Sequence, residues 1–369
     1  MDIGKLITDS IKQAAELRGQ FNLLIAGLTG VGKSTLVNAV FSENLARTGQ
    51  GKPVTTGTRE YSREGFPLTL FDTRGLETAR YEETLQELQK LIRERRSLDE
   101  RQHIHACWLC ISEDGRRVQE AEIELAKLLH AMDVPVIAVI TKSRADQGFA
   151  GVVRDLLPHV WGVHRVRALR EVLDDGHQLE PFGLTELLEA TVELIPEASR
   201  NALAAAQKIS LDLKERRARL VVNTASASAG AAAAVPLPLS NLFTLAPVQL
   251  GMLAGVNATF GLKFSQTYLQ AVVASALGVA GTGYATRTIA SALLKFVPGL
   301  GSVAGGAIAA TTASALTAAM GHAYIRALRL SLERAGDRPM DAGQLAAEFE
   351  EQFRRSGREI EPVQPGDEA

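Results

Sequence analysis

The sequence predicts two folds in one chain: an α/β domain, with a mostly parallel sheet wrapped by helices, and then an all-α, Ala/Gly-rich hydrophobic helical domain. Three observations predict this. Apolar runs alternate with helical periodicity from Phe21 to about Pro196, the pattern of a sheet with crossover helices. A Gly-rich turn, Gly27–Ser34, stands between the first apolar run and the first helix after it. From Leu220 to Ile325, 106 residues, only Lys263, Arg287 and Lys295 are charged, besides His322, although charged residues make up 22% of the chain. The expected divisions are an N-terminal amphipathic helix over 1–20, the α/β domain over 21–196, a polar linker helix over 197–219, the hydrophobic helical domain over 220–335, and a C-terminal helix with a disordered tail over 336–369.

Residues 3–18 place Ile3, Leu6, Ile7, Ile11 and Ala14 on one helical stripe, with Lys5, Asp9, Lys12 and Glu16 away from it. Such a stripe marks a packed face, expected on the domain that follows. It is narrow and poorly supplied with lysine and arginine for a lipid anchor. MDIGKLITDSIKQ has no apolar core of a signal peptide, so the chain is expected to start in the cytosol.

Four apolar runs, FNLLIAG, FPLTLFD, HIHACWLCIS and VPVIAVIT, read as strands, and Leu85–Leu88–Ile92 and Ala121–Leu125–Leu128 as helix stripes between them. The two cysteines, Cys107 and Cys110, lie within the third run. Positions three apart on a strand point to opposite faces, so this CWLC is expected to be a pair of buried thiols rather than a metal knuckle. A net charge of −2 offers no basic field for nucleic acid, and no DNA partner is expected.

Gly27-Leu-Thr-Gly-Val-Gly-Lys-Ser34 fits the pattern G-x-x-x-x-G-K-[ST] in the strand-to-helix context that the pattern requires. Glycines let the backbone curl around an anion, so that amide N–H groups and the helix N-terminus face phosphate. Lys33 is placed to reach the β- and γ-phosphates, and the Ser34 hydroxyl to bind Mg²⁺. Gly27, Thr29, Gly30, Val31, Gly32, Lys33, Ser34 and Thr35 are the candidate nucleotide-binding residues of this loop.

Two further segments complete a γ-phosphate sensor. LTLFDTRG puts Asp72 at a strand end and Gly75 three residues on. The acid can hold Mg²⁺ through water, and the glycine amide can bond the γ-phosphate. Between this segment and the loop, GKPVTTGTRE offers Thr55, Thr56 and Thr58 as switch hydroxyls for Mg²⁺, the first two preferred. Lys33, Thr55, Thr56, Asp72 and Gly75 are thus the candidate catalytic set, with Ser34, Thr56 and Asp72 as metal ligands.

GLTGVGKSTLVNAVF, PVTTGT and DTRGLE, in that order, resemble the Era/TrmE-type branch of the translation-factor-related GTPases over residues 21–196. The resemblance implies a Ras-like P-loop fold, Mg²⁺ dependence, and hydrolysis of GTP to GDP and phosphate. It implies that VITKSRAD is the base-reading loop, with Thr141, Lys142 and Asp146 as its candidates and Ala168, in Val166–Leu169, flanking guanine. The chain departs from that pattern at three places. Arg144 stands where [NT]-K-x-D has its carboxylate, so Asp146 reaches the base only if the loop bulges. Leu76 follows Gly75 where many GTPases have a water-orienting Gln, so slow intrinsic hydrolysis is expected unless a second copy of the chain or a separate activator supplies that group. Gly30 occupies the position of an Asn that helps some relatives bind K⁺.

The uncharged runs Leu220–Leu262, Phe264–Thr286 and Phe296–Ile325 are 43, 23 and 30 residues long, each sufficient for a bilayer, which takes about 20. Pro236 and Pro238 would split the first into a hairpin. KERRAR before the block and Arg326, Arg329 and Arg334 after it would be cytosolic flanks. Gly251, Gly255 and Gly301–Gly306 would let helices approach closely. An Ala-packed soluble bundle is the competing reading, but it would need a charged outer face that this block lacks. Membrane association through 220–325 is the expectation, at the cytoplasmic face of a bacterial inner membrane, with a cytoplasmic location as the alternative. Residues 230–330 also resemble the YcjF-like domain of unknown function, usually described as membrane-associated. Near the end, Asp341 and Gln344 make a capping-box-like start to a helix with Leu345, Phe349 and Phe353 in a stripe, followed by the acidic EIEPVQPGDEA. The function expected is a Mg²⁺-dependent GTPase switch coupled to the helical domain; the alternative is a soluble nucleotide-binding scaffold or ribosome assembly factor with negligible hydrolysis.

Overall fold

The computed structural model describes residues 3–41, 52–55, 57–73, 76, 81–234, 240–262, 306–336 and 340–360. Two compact units emerge, Arg18–Ser210 and, separately, Met1–Leu17 together with Leu211–Ala369.

The first unit is the α/β fold. Its elements are β1 (Phe21–Ala26), α2 (Lys33–Val40), β2 (Lys52–Pro53), β3 (Thr58–Ser62), β4 (Leu68–Thr73), α3 (Tyr81–Arg96), β5 (Ala106–Ser112), α4 (Glu120–Ala131), β6 (Val136–Thr141), α5 (Phe149–Leu156), β7 (Gly162–Arg165), α6 (Leu184–Leu194) and α7 (Glu197–Ala206). The sheet order is β2-β3-β4-β1-β5-β6-β7. β1 lies between β4 and β5, parallel to both, and β5–β6–β7 continue in parallel. Only the β2–β3–β4 edge is antiparallel. β1 and β6 are buried along their whole length, which is why they read as unbroken apolar runs rather than alternating ones. On one face Leu24, Phe71, Leu109 and Ile140 pack with Leu88 and Ile92 of α3 and Leu125 of α4. On the other, Trp108 stacks on Phe41 at 5.8 Å and donates its indole N–H to Thr191 Oγ1 at 3.0 Å. Cys107 and Cys110 are buried free thiols, and burial pushes Cys110 up to about 12.

Three strands of this sheet, the short β2 as well as β3 and β7, lie where no apolar run signals them. β3 reads TREYS and pairs with β4 from Thr58 to Ser62, and β7 reads GVHR. Strands at or next to a sheet edge are half exposed and need no continuous apolar run. A further hairpin, β8 (Glu171–Val172) with β9 (Gln178–Leu179), projects after β7. The unit also runs past 196. Ala202–Ala206 of α7 are buried, and the Gln207 amide and carbonyl bond the backbone of Ser210, Ile209 and Ala204. The expected single polar helix over 197–219 is therefore broken at Gln207–Ser210, and only its second part belongs with the helices that follow.

The second unit contains α1 (Ile3–Arg18, of which residues to Leu17 fall here), α8 (Leu211–Ala234), α9 (Ser240–Phe260), α10 (Gly306–Ala335) and α11 (Ala342–Ile360). Ile7 and Ala14 of α1 join Val222, Leu253, Tyr324, Leu328, Leu345 and Phe349 in one core. The stripe on α1 is real, but it packs with the helical unit rather than with the α/β unit that follows it in sequence. Tyr324 donates to Asn257 Oδ1 at 2.6 Å and meets Phe349 edge-on at 5.1 Å. Small residues do permit close packing: a Cβ on Gly255 would fall 2.8 Å from Val221 Cγ1, and one on Gly321 would fall 2.5 Å from Val222 Cγ2. Gly251 has open space instead. Asp341 Oδ1 accepts from the Gln344 N–H at 2.8 Å, as a helix cap does.

Among the described residues no helix is long and apolar enough to cross a membrane. The first uncharged run becomes α9 and the C-terminal part of α8, with Gln249, Asn257 and Thr259 buried among apolar side chains. The run Phe264–Thr286 and the acidic tail after 360 lie outside the described residues.

Candidate functional site

The phosphate loop forms at the carboxyl end of β1, where ligands of open α/β sheets bind. Gly27 (φ +135°) runs so close to β5 that a Cβ would lie 2.2 Å from the Cys110 carbonyl oxygen. Gly32 caps α2 in the left-handed region at φ 99°. Lys33 turns back over the loop and donates from Nζ to the carbonyls of Gly27 at 2.7 Å and Leu28 at 2.9 Å. Thr29, Gly30, Ser34 and Thr35 lie on the exposed side of the loop, and Val31 is buried beneath it. All eight residues expected to contact phosphate are therefore gathered on one turn at a helix N-terminus, which suits a polyanion.

Asp72 is the fifth residue of β4 and pairs in register with Ile25 of β1, two positions before Gly27. Its carboxylate belongs to the same end of the sheet as Ser34. Thr55 donates its N–H to the Thr58 carbonyl at 3.2 Å, and its buried Oγ1 has no hydrogen-bond partner among the described residues. Thr58 opens β3, pairs with Thr73 and is fully buried, and its Oγ1 too has no hydrogen-bond partner among the described residues. Thr56 and Gly75, expected as metal ligand and γ-phosphate sensor, lie outside the described residues. Leu76 is buried in the core beside Phe71 and Leu88. The donor set for Mg²⁺ is hydroxyl and carboxylate oxygen, the chemistry this cation prefers, and the buried Thr55 and Thr58 hydroxyls have no hydrogen-bond partner among the described residues.

The loop after β6 is tied to the phosphate loop, because the Thr141 hydroxyl donates to the Val31 carbonyl. Lys142 sits in the left-handed region at φ 53°, with Nζ 3.4 Å from Asp114 Oδ2. Next comes an anchor that the sequence did not reveal. Glu113 accepts the backbone N–H groups of Arg144 and Ala145 at 2.8 Å each, and its other oxygen faces Arg165 at 3.1 Å. Burial pushes this carboxyl up, but those bonds outweigh it and hold the group below the usual carboxylate range. An acid next to a strand end carries no sign of that duty in its spacing.

Asp146 faces the start of α5 and Arg165. Its Oδ1 accepts from the Ala150 N–H at 2.8 Å and lies 3.7 Å from Arg165 Nε, so it caps the start of α5. Glu113 pins the loop at Arg144 and Ala145, immediately before Asp146. Ala168 lines, with Thr141 and Lys142, a cavity of about 300 Å³ that begins at Gly32 and Thr35 of the phosphate loop. The carboxylates on its wall are Asp114 and Glu171. Glu171 is held by both Nε (2.9 Å) and Nη2 of Arg144.

Another buried acid lies close by. Glu122 in the first turn of α4 accepts the Gln119 N–H at 2.8 Å in a reciprocal capping box. Burial pushes it up to about 7, against the pull of that bond and of the Lys33 charge.

Residues 22–142 match the family model described as 50S ribosome-binding GTPase, which places a GTPase domain in the α/β unit. The match includes the phosphate loop and the Asp72 segment and stops at Lys142, before Arg144. Septin-3 of Danio rerio is 29% identical over 169 residues, 38% of this chain and 46% of that protein. Ribosome biogenesis GTPase A of Bacillus licheniformis is 40% identical over 62 residues, 17% of this chain and 22% of that one. The chain thus spans less than half the length of either curated relative. Among solved structures, a probable GTP-binding protein engB superposes with a TM-score of 0.34 at 17% identity, over 47% of this chain and 97% of that one. Toc33 from Arabidopsis thaliana, in complex with Mg²⁺ and GMPPNP, gives a TM-score of 0.33 at 16% identity, over 52% and 90%.

Proposed function

We propose that the chain binds GTP with Mg²⁺ on the phosphate loop, hydrolyses it slowly to GDP and phosphate, and acts as a switch whose output is the helical unit. The observation that carries this reading is the loop itself: Gly27 and Gly32 in conformations closed to other residues, with Lys33 Nζ held over the loop carbonyls. That ammonium exchanges carbonyl partners for phosphate oxygens when a triphosphate enters, and the backbone N–H groups at the start of α2 meet the same charge. Ser34, Asp72 and a switch-loop threonine would hold Mg²⁺. When bound, the cation neutralises charge on the β- and γ-oxygens.

Slow turnover follows from Leu76, whose buried side chain can neither donate nor accept a hydrogen bond to an attacking water. A second copy of the chain or a separate activator would supply the water-orienting group. Single-turnover phosphate release from GTP by the full chain, with and without Mg²⁺, tests the reading. Slow, Mg²⁺-dependent release supports it; bound GTP that stays intact through many hours favours the alternative, a nucleotide-binding scaffold such as a ribosome assembly factor.

Charge depletion over 220–325 supports a lipid surface as the place where the helical unit acts, at the cytoplasmic face of a membrane. Flotation of the full chain with anionic liposomes tests this, and a chain left at the bottom of the gradient in both nucleotide states contradicts it.

A further inference from the structure

The cavity beside the phosphate loop has a chemistry of its own. It opens from Gly32 and Thr35 and runs between Thr141–Lys142 and the segment ending in Glu171. A nucleotide whose phosphates lie on the loop would lay its base here. The expected reader, Asp146, is occupied at the start of α5 and does not line this cavity. Arg144, standing at the position where a carboxylate was expected, grips a carboxylate from elsewhere in the chain. Its Nε and Nη2 bond the two oxygens of Glu171, 27 residues later.

We propose that Glu171, clamped by Arg144, supplies the carboxylate that reads the guanine base. This rests on the guanine-nucleotide reading above and specifies which residue enforces it. Guanine presents N1–H and N2 amino donors beside the O6 acceptor, whereas adenine presents an acceptor at N1. A carboxylate matches the two guanine donors and repels the adenine N1 lone pair. The Arg144 fork takes the inner lone pair of both oxygens and leaves an outer lone pair on each, so the guanine N1–H and amino group share one Glu171 oxygen approached from its side. The guanidinium beside it is a donor for O6. The same clamp holds the Glu171 carboxyl below the usual carboxylate range. Asp114 also lies on the wall but faces the Lys142 ammonium at 3.4 Å.

The test is displacement of a fluorescent GDP analogue from the full chain by GTP, ITP, XTP and ATP, in Mg²⁺, for wild type and Glu171→Gln. Losing a charged partner of two donors predicts a fall in GTP affinity of about 10- to 100-fold. XTP, which has a carbonyl in place of the amino group at C2, should bind Glu171→Gln better than wild type, because the new amide N–H faces an acceptor. Wild type should bind ITP, which lacks the amino group, less tightly than GTP. If wild type binds GTP but Glu171→Gln keeps its full preference over XTP and ATP, the reader assignment is overturned while the nucleotide site stands. The same GTP-to-XTP shift in Asp146→Asn instead would also overturn it. If wild type binds no triphosphate, the nucleotide reading itself falls. Should Glu171→Gln fail to fold by circular dichroism, Arg144→Ala serves: it keeps the carboxylate unclamped and should weaken GTP while preserving its lead over ATP. Unchanged GTP affinity in that variant contradicts the clamp.

Discussion

Gly27 and the Cys110 carbonyl are in such close approach that a Cβ on the glycine would lie 2.2 Å from the oxygen. The contact joins the root of the phosphate loop to the middle of β5, where neither backbone can retreat without opening the sheet. Gly27 also sits at φ +135°, which side chains rarely tolerate. Gly27→Ala should therefore cost about 2 kcal/mol or more through strain and overpacking together. Gly30→Ala, at φ +79° with nothing within 4 Å, should cost only the left-handed penalty, about 1 kcal/mol. Both tryptophans, Trp108 and Trp161, fall in the α/β unit, so denaturant unfolding followed by their fluorescence compares the two variants directly.

Glu122 gives the α/β unit a pH dependence of definite sign. Its carboxyl is raised from 4.5 to about 7 in the fold, so between those values the native chain holds a proton that the unfolded chain has released. Stability then falls as pH rises from about 4.5 to 7, and the loss is complete above 7, about 3 kcal/mol in size. Glu122→Gln removes the buried charge, keeps an acceptor for the Gln119 N–H, and should flatten this slope. Tryptophan-detected unfolding at pH 5 and pH 8 checks it: no gain for the variant at the higher pH contradicts the assignment.

Glu113 should matter to both stability and ligand. Replacing it with alanine leaves the Arg144 and Ala145 N–H groups and the Arg165 guanidinium without their acceptor. A loss of about 2–4 kcal/mol is expected, together with weaker guanine-nucleotide binding because the loop after β6 is released. Because this carboxyl is lowered in the fold, its contribution is present at neutral pH and disappears as pH falls below the ordinary carboxylate range. A variant equal to wild type in both melting and GDP affinity contradicts the anchor.

In the helical unit, Tyr324→Phe removes the donor to Asn257 Oδ1 at the centre of the core. The stranded amide oxygen should cost about 1–2 kcal/mol. Far-UV circular dichroism through thermal unfolding, read against the unchanged tryptophan transition, tests whether the loss stays within this unit.

How much of this was legible beforehand follows physical lines. β1, β4, β5 and β6 were visible because buried parallel strands must be continuously apolar, and the phosphate loop because its glycines and lysine are adjacent in sequence. β3 and β7 were not, since TREYS and GVHR sit at or near sheet edges where burial does not dictate composition. The stripe on α1 was visible, but its partner was not: Ile7 and Ala14 pack against residues more than 200 positions away, and an apolar face does not name what covers it. Within the site, local motifs were found and long-range ones were missed. Glu113 reaches across 31 residues to Arg144, and Arg144 across 27 to Glu171. Nearness to Lys142 in sequence likewise gives no sign of the α5 start that engages the Asp146 side chain.

The measurement that bears most directly on the central claim is calorimetric titration of the full chain with a non-hydrolysable GTP analogue in Mg²⁺, beside Lys33→Ala. Lys33 Nζ is the group poised over the loop at 2.7 Å and 2.9 Å from its carbonyls. The account predicts saturable one-to-one binding by wild type and none by the variant when both are folded. Equal binding by the two proteins, or no binding by wild type, would contradict it.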